Sequence, residues 1–261
     1  MKRRNERPEN TRRQFLLRAL GGAGALLLAG CDQLSRSAWF PKFLGVGERF
    51  SSAAQHLLTP RKSMAQEFTE ADLSPRFRSN GTAIPDNPQY QALSRNGFAD
   101  WALEIGGLVE QPTKLTLAQL RQLPSRTQIT RHDCVEGWSA IGKWTGVPLH
   151  EVLALVRPRA NARYVIFYCA DPMEETEASK YYESVDMEDA YHPQTILAYD
   201  LNGAALPIAN GAPIRVRIER QLGYKMAKYI MRIELVESFE HIRDGKGGYW
   251  EDQGYEWYAG I

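Results

Sequence analysis

Cys134 stands in the stretch "TRHDCVEGWSAIGKW", residues 130–144, between charged residues and a glycine–tryptophan turn. A thiol there can fill the core, act as a nucleophile, form half of a disulfide or bind a metal. His132 sits two residues before it on the same strand face, which alone does not make a nucleophile–base pair. Three other stretches carry groups able to work with this thiol. "NGAPIRVRIERQLGYKMAKYI" offers an Asn-Gly turn at Asn210, Arg215 and Arg217 on one strand face, then Lys225 and Lys228. Guanidinium forks and loop N–H groups suit a phosphate or a polar heterocycle, although the same pattern also describes an ordinary solvated strand face. "RFRSNGTAIP" places Asn80 and Gly81 in a loop bracketed by Pro75 and Pro85. Asn both donates and accepts there and Gly admits close backbone approach, while Asn-Gly by itself is simply a turn. "SKYYES", residues 179–184, holds Tyr181, a hydroxyl able to donate to a developing oxyanion or relay a proton, or else a surface tyrosine.

Other chemistries are poorly supported. There is no CxxC or HExxH zinc spacing, no GxSxG, no P-loop and no GxGxxG followed by a strand. A net charge of +1 supplies no global basic field, so nucleic acid is not an expected partner. The composition, 43% hydrophobic and 24% charged, is that of an ordinary globular protein. Groups from three distant segments directed at one cysteine point to a large bound cofactor.

The elements that must position these groups read as α+β. "WALEIGGLV", "TQITRHDC", "ARYVIFYC" and the closing "KYIMRIELVE" read as strands, and "APIRVRI" alternates with Ile214, Val216 and Ile218 on one face. "TLAQLRQL", capped by Thr116, and "PLHEVLALV", stopped by Pro158, read as helices. "TILAYDLNGAALP" predicts a hairpin around Asn202-Gly203, and residues 171–190 a long polar insertion. Residues 76–240 form the expected domain, preceded by a tether and helix over 32–75 and followed by an aromatic tail, 241–261, read as a flap packed on the domain.

The first 31 residues read as a signal segment. A basic "MKRRNERPENTRRQF" precedes the apolar "ALGGAGALLLAG", which is shorter than the roughly 20 residues a bilayer span needs and suits an export signal. "TRRQFL", with Arg12 and Arg13, resembles a twin-arginine signal, with Leu17 where lysine is usual. "LAGC" resembles a lipobox that would make Cys31 the lipidated first residue of the mature chain. A periplasmic protein attached to the inner membrane through lipid alone is the expectation. That oxidising compartment would permit Cys134 and Cys169 to pair.

"RHDCVEGWSAIGKWTGVPLHEVL", "ILAYDLNGAALPIANGAPIRVRI", "GYKMAKYI" and "FRSNGTAIP" together resemble the molybdenum-cofactor domain of the sulfite oxidase family, and within it the bacterial methionine sulfoxide reductases. The resemblance implies a molybdopterin-binding fold in which Cys134 ligates molybdenum. It implies further that Asn80, Asn210, Arg215, Met226, Ala227 and Lys228 hold the cofactor and that Cys169 lies beside the pterin. Tyr181 takes the place of an active-site tyrosine, with Tyr182 competing for that register. The implied reaction is reduction of a sulfoxide such as methionine sulfoxide, the implied electron partner a membrane haem protein, and the implied state a monomer. Sulfite oxidation and a cofactor-free binding lipoprotein are the alternatives. "VEGWS" and Gly81 stand where sulfite oxidases carry basic residues and a histidine.

Overall fold

The computed structural model describes residues 63–173 and 179–261, which belong to one compact unit. The signal segment, Cys31 and the helix expected over "GERFSSAAQHLLT" lie outside the described residues. Among the described residues ten strands make two sheets, one mixed and one antiparallel, with short helices at their edges, an α+β architecture.

In the first sheet the strand order is β2-β1-β10-β5-β6. It comprises β1 (Ala102–Gly107), β2 (Thr113–Thr116), β5 (Tyr164–Pro172), β6 (Lys180–Asp186) and β10 (Ile230–Val236). Expected as a closing strand, β10 is instead central: it runs parallel to β1 and antiparallel to β5. A strand flanked on both edges must be apolar along its inner face, and Ile230, Ile233 and Leu235 are fully buried. The described part of the polar insertion expected over residues 171–190 carries regular structure. It includes β6, which pairs with β5 in the register Tyr168↔Tyr182, and the short helix Met187–Ala190. The lesson is physical: "YYESVD" is polar in composition, yet a strand carrying ion-paired groups buries five consecutive residues.

The second sheet contains β3 (Arg126–Cys134), β4 (Trp138–Pro148), β7 (Ile196–Leu201) and β8 (Ala204–Ala205), with β9 (Arg215–Arg217) paired to β7. The β7–β8 turn has Asn202 at φ 53° and Gly203 at φ 81°, the double positive-φ geometry that a two-residue hairpin requires. Between β4 and β5, helix Leu149–Val156 buries Leu149, Val152, Leu153 and Val156 on one stripe, each worth about 1.5–3 kcal/mol. It ends at Arg157 in the left-handed region, just before Pro158. Helix Leu117–Gln122 begins with the expected cap: Thr116 accepts from the Gln119 N–H, and the Gln119 side chain returns to the Thr116 N–H.

Both flanks of the expected domain pack onto it. Residues 63–75 contain only a 3-10 turn, Glu70–Asp72, and lie along the second sheet through Phe68 N–H to Ile129 O (2.8 Å) and Ser74 N–H to Ile141 O (3.1 Å). The chain end is tied down by Leu222 N–H to Ala259 O (2.9 Å) and Ile261 N–H to Arg220 O (3.0 Å).

Candidate functional site

Strands β3 and β4 join through a turn at residues 135–137, with Cys134 opposite Trp138 at its base. Gly137, at φ 84°, returns its N–H to the Cys134 carbonyl (3.0 Å). The half-buried thiol faces a cavity of about 220 Å³ that also receives Asn80, Asp171, Tyr181, Lys228 and Trp250. Burial pushes the thiol pKa up, partly offset by a hydrogen bond to the Glu136 backbone. A thiol so held is protonated near neutral pH and a poor nucleophile, whereas a metal ion would deprotonate it outright.

His132 does not serve this thiol as a base. Burial, then Arg217, hold it well below its usual range and hence neutral; its Nδ1 accepts from Arg217 Nη1 (2.9 Å) and lies 3.3 Å from Met226 Sδ. The imidazole packs on Gly223, where a Cβ would fall 2.5 Å from its ring atoms, so only glycine fits there. Cys134 and Cys169 are both free, so the disulfide does not form.

Beneath the cavity lies a buried basic floor rather than a solvated strand face. Arg215 and Arg217 are both fully buried against Trp144, 5.3 and 4.5 Å from its ring centre. Arg217 is neutralised by Glu219, through Nε–Oε1 (3.0 Å) and Nη2–Oε2 (2.6 Å). Arg215 is not: it donates to the carbonyls of Asn210 (3.2 Å) and Met226 (3.0 Å), and no carboxylate among the described residues pairs with it. Lys228 donates to the carbonyls of Asn80 (2.5 Å), Thr82 (2.6 Å) and Ala209 (3.2 Å). Burial, then Arg215, push its ammonium down to about 7. Asn80 Oδ1, Asp171 Oδ1, Asn210 Nδ2 and Arg215 Nε are buried without hydrogen-bond partners.

The sequence-derived residues thus fall into separate groups. Asn80, Cys134, Tyr181, Met226, Ala227 and Lys228 line one cavity. Asn210 and Arg215 are buried and joined to it through the Arg215 bonds to Asn210 and Met226. Cys169 does not line it; it is buried in the main core and borders a separate groove. The tyrosine register resolves to Tyr181, whose hydroxyl donates to the Tyr224 carbonyl, while Tyr182 turns away to Asp252 (2.5 Å). Lys225 is no anion ligand: it is buried between the carboxylates of Glu183 and Glu251. Sequence reasoning missed Asp171, Tyr224, Trp250 and Tyr255, all on the cavity wall. The aromatic richness of the tail was the available signal for the last two.

A buried guanidinium lacking a paired carboxylate, orphaned donors and acceptors and a thiol around one cavity define a site suited to an anionic cofactor that accepts sulfur ligation. Residues 90–241 match the family described as oxidoreductase molybdopterin binding domain, and the chain belongs to that family. It is 38% identical over 249 residues to a putative protein-methionine-sulfoxide reductase subunit, YedZ1, of Azospira oryzae, covering 95% of this chain and 87% of that protein. It is 33% identical over 238 residues to the protein-methionine-sulfoxide reductase catalytic subunit MsrP of Ralstonia nicotianae, covering 88% of this chain and 69% of that one. The sulfane dehydrogenase SoxCD of Paracoccus pantotrophus overlays 53% of this chain and 39% of its own at a TM-score of 0.49, with 25% identity.

The chain is therefore a molybdopterin-dependent oxidoreductase, and its residues fit that cofactor. No group of three or more His, Cys, Asp or Glu side chains suited to a metal occurs among the described residues. A metal held by Cys134 would accordingly draw its other ligands from the cofactor. Arg215 Nε and Asn210 Nδ2 are donors without an acceptor, which the cofactor's anionic phosphate would supply.

Proposed function

We propose that this enzyme reduces a sulfoxide, with methionine sulfoxide carried on a protein as the leading substrate. The balance is R₂SO + 2e⁻ + 2H⁺ → R₂S + H₂O. When bound, the molybdenum cofactor supplies a centre for two-electron oxygen-atom transfer. The chain's own residues do the rest. Cys134 holds the metal as thiolate; Arg215 and Lys228 anchor the anionic end of the cofactor; Asn80 and Asn210 present unused amide atoms to it, and Met226 and Ala227 pack against it. The Tyr181 hydroxyl is the protic group at the reacting end.

The observation that carries this reading is the Cys134 thiol on a cavity whose Met226 wall is bonded to Arg215, a buried guanidinium that no carboxylate among the described residues pairs. The names of the relatives support the substrate class. Sulfite oxidation fits less well: the exposed Glu136 carboxylate lines the cavity beside apolar Val135, Met173 and Trp250, a poor entrance for an anion. A cofactor-free binding protein would leave Arg215 a buried, uncompensated charge.

The same reading places the enzyme in the periplasm after twin-arginine export, held at the membrane by acyl chains on Cys31. Several chains on one cysteine give lasting attachment where a single chain does not. Neither CxxCH nor a flavin or nicotinamide fingerprint occurs in the sequence, so electrons come from another protein, here a membrane haem protein. Protein purified from a host that makes the cofactor should carry near-stoichiometric molybdenum and reduce sulfoxides with an artificial donor. Cys134→Ser should lose both metal and turnover. Equal molybdenum in both proteins would overturn the ligand assignment, and loaded protein inert toward every sulfoxide would overturn the substrate.

A further inference from the structure

The matched domain ends at residue 241, yet the chain beyond it closes one side of the cavity. Trp250 and Tyr255 both line that wall, their ring centres 5.3 Å apart at 41°. Tyr224, from the loop after β9, meets Tyr255 edge-on at 5.3 Å and 79°, and Tyr249 meets Trp250 at 5.3 Å and 82°. The Tyr255 N–H donates to the Trp250 carbonyl (2.9 Å), closing the segment into a turn. Trp250 is half-buried and Tyr255 is 42% exposed, so ring surface remains free at the mouth.

This corner is built rather than draped. Glu251, next to Trp250, is buried and bound to the Lys225 ammonium. Asp252 accepts from the Tyr182 hydroxyl (2.5 Å), the Glu256 carbonyl from the Tyr224 hydroxyl (2.6 Å), and Trp257 Nε1 donates to Ser184 (2.8 Å). A surface flap packed only for its own burial needs no buried ammonium to fix it. The bonds on both sides of Trp250 and Tyr255 hold the two rings in place relative to the cavity.

We propose that the Trp250–Tyr255 corner is the substrate-selecting subsite of the enzyme, taking the methyl–sulfur end of a methylsulfinyl side chain on a polypeptide. The proposal rests on the sulfoxide-reductase reading and adds to it the residues that choose the substrate. A sulfinyl group carries its positive end on sulfur and its negative end on oxygen. Aromatic faces attract the former, as they do polarisable sulfur and polarised methyl groups. The metal that Cys134 would hold in the same cavity suits the oxygen end. Opening at the mouth, the corner leaves room for the polypeptide that bears the side chain. The tail outside the shared domain therefore sets substrate preference, while the domain sets the chemistry.

The test uses holoenzyme and an artificial electron donor, with a short peptide containing methionine sulfoxide as one substrate and chlorate, an oxygen-atom donor with neither sulfur nor methyl groups, as the other. Loss of one sulfur–aromatic face should raise KM for the peptide about tenfold in Trp250→Ala and in Tyr255→Ala. Trp250→Phe should stay near wild type, kcat should hold within about twofold, and chlorate KM and molybdenum content should not move. Because Tyr255 is largely exposed, Tyr255→Ala keeps the test valid where Trp250→Ala fails to fold. Peptide KM unchanged in Tyr255→Ala, or raised equally for chlorate, would overturn the subsite while leaving the reductase reading intact. Wild-type holoenzyme inert toward the peptide would overturn both.

Discussion

Replacing Arg215 with methionine separates an anchoring role from a structural one, because an anchor leaves protein without cofactor almost unchanged whereas a structural residue costs it several kcal/mol. The guanidinium is fully buried and donates to two carbonyls, Asn210 (3.2 Å) and Met226 (3.0 Å). Losing two charge-assisted hydrogen bonds costs about 1.5–3 kcal/mol each. Against that stands the penalty of a buried ion without a counter-charge, also several kcal/mol. The terms nearly cancel, so metal-free Arg215→Met should stay within about 2 kcal/mol of the parent, with methionine filling the space. Cofactor binding sees no such cancellation. At an effective dielectric of about 20, a guanidinium and an anion 4 Å apart attract by about 4 kcal/mol. Allowing for residual attraction from Lys228 and Arg217, about 3 kcal/mol should be lost, on the order of a 100-fold weaker hold.

The assay pairs molybdenum per folded molecule with the unfolding midpoint of metal-free and loaded protein. Parent enzyme should gain stability on loading, and the variant should gain far less at the same cofactor concentration. Several kcal/mol lost from the metal-free protein, with molybdenum per folded molecule unchanged, would refute the reasoning and make Arg215 a structural residue.

Other outcomes follow from the buried charges and the anchor. Burial lifts Asp171 from its usual 3.8 to about 6, so the metal-free fold should lose stability as pH rises through that window; unfolding scans of Asp171→Asn should lack this limb. Burial lowers Lys228 from 10.5 to about 7, so stability should recover as pH rises from about 7 toward 10.5, and Lys228→Met should abolish the recovery. Lys225→Met strands two buried carboxylates and should cost about 3–5 kcal/mol near pH 8. Burial already pushes Glu183 well up, so that cost should shrink at pH 5, where protonation removes the charge; a pH-independent loss in denaturant titrations would contradict it. Cys31→Ser should release the enzyme from membranes and slow its reduction by them, while activity with a soluble donor stays intact; fractionation after export checks this.

Much of the frame was legible because local signals agreed with the fold. Thr116, followed by Gln119, announces a helix start and makes the expected cap. Asn202-Gly203 announces a hairpin and adopts the required positive φ at both residues. The alternation in "APIRVRI" correctly separates Arg215 and Arg217 from Ile214, Val216 and Ile218. It could not say that the polar face is buried, because nothing in an alternating pattern distinguishes water from a cofactor cavity and an indole. Lys225 and Lys228 likewise look equivalent in "GYKMAKYI". Only the arrival of Glu183 from β6 and Glu251 from the tail makes Lys225 a structural cation and leaves Lys228 facing the cavity.

The residues that escaped the sequence reading share one property: their meaning depends on partners distant in the chain. Asp171 reads as an ordinary polar residue, and its weight comes from burial beside Lys228, far along the chain. Trp250 and Tyr255 read as packing aromatics until Lys225 and Tyr224 bind Glu251 and Glu256 and set their rings on the cavity wall. The pair Lys225 and Lys228 therefore joins two tasks in one short segment. Lys225 points back to hold the tail, and Lys228 points forward to the cavity floor. Cofactor hold and substrate wall are thus set by neighbouring residues on one rigid piece of backbone, braced by Gly223 under His132 and by Met226 against the same imidazole. A substitution that shifts this segment should disturb molybdenum content and peptide KM together, whereas changes confined to Trp250 or Tyr255 should move KM alone.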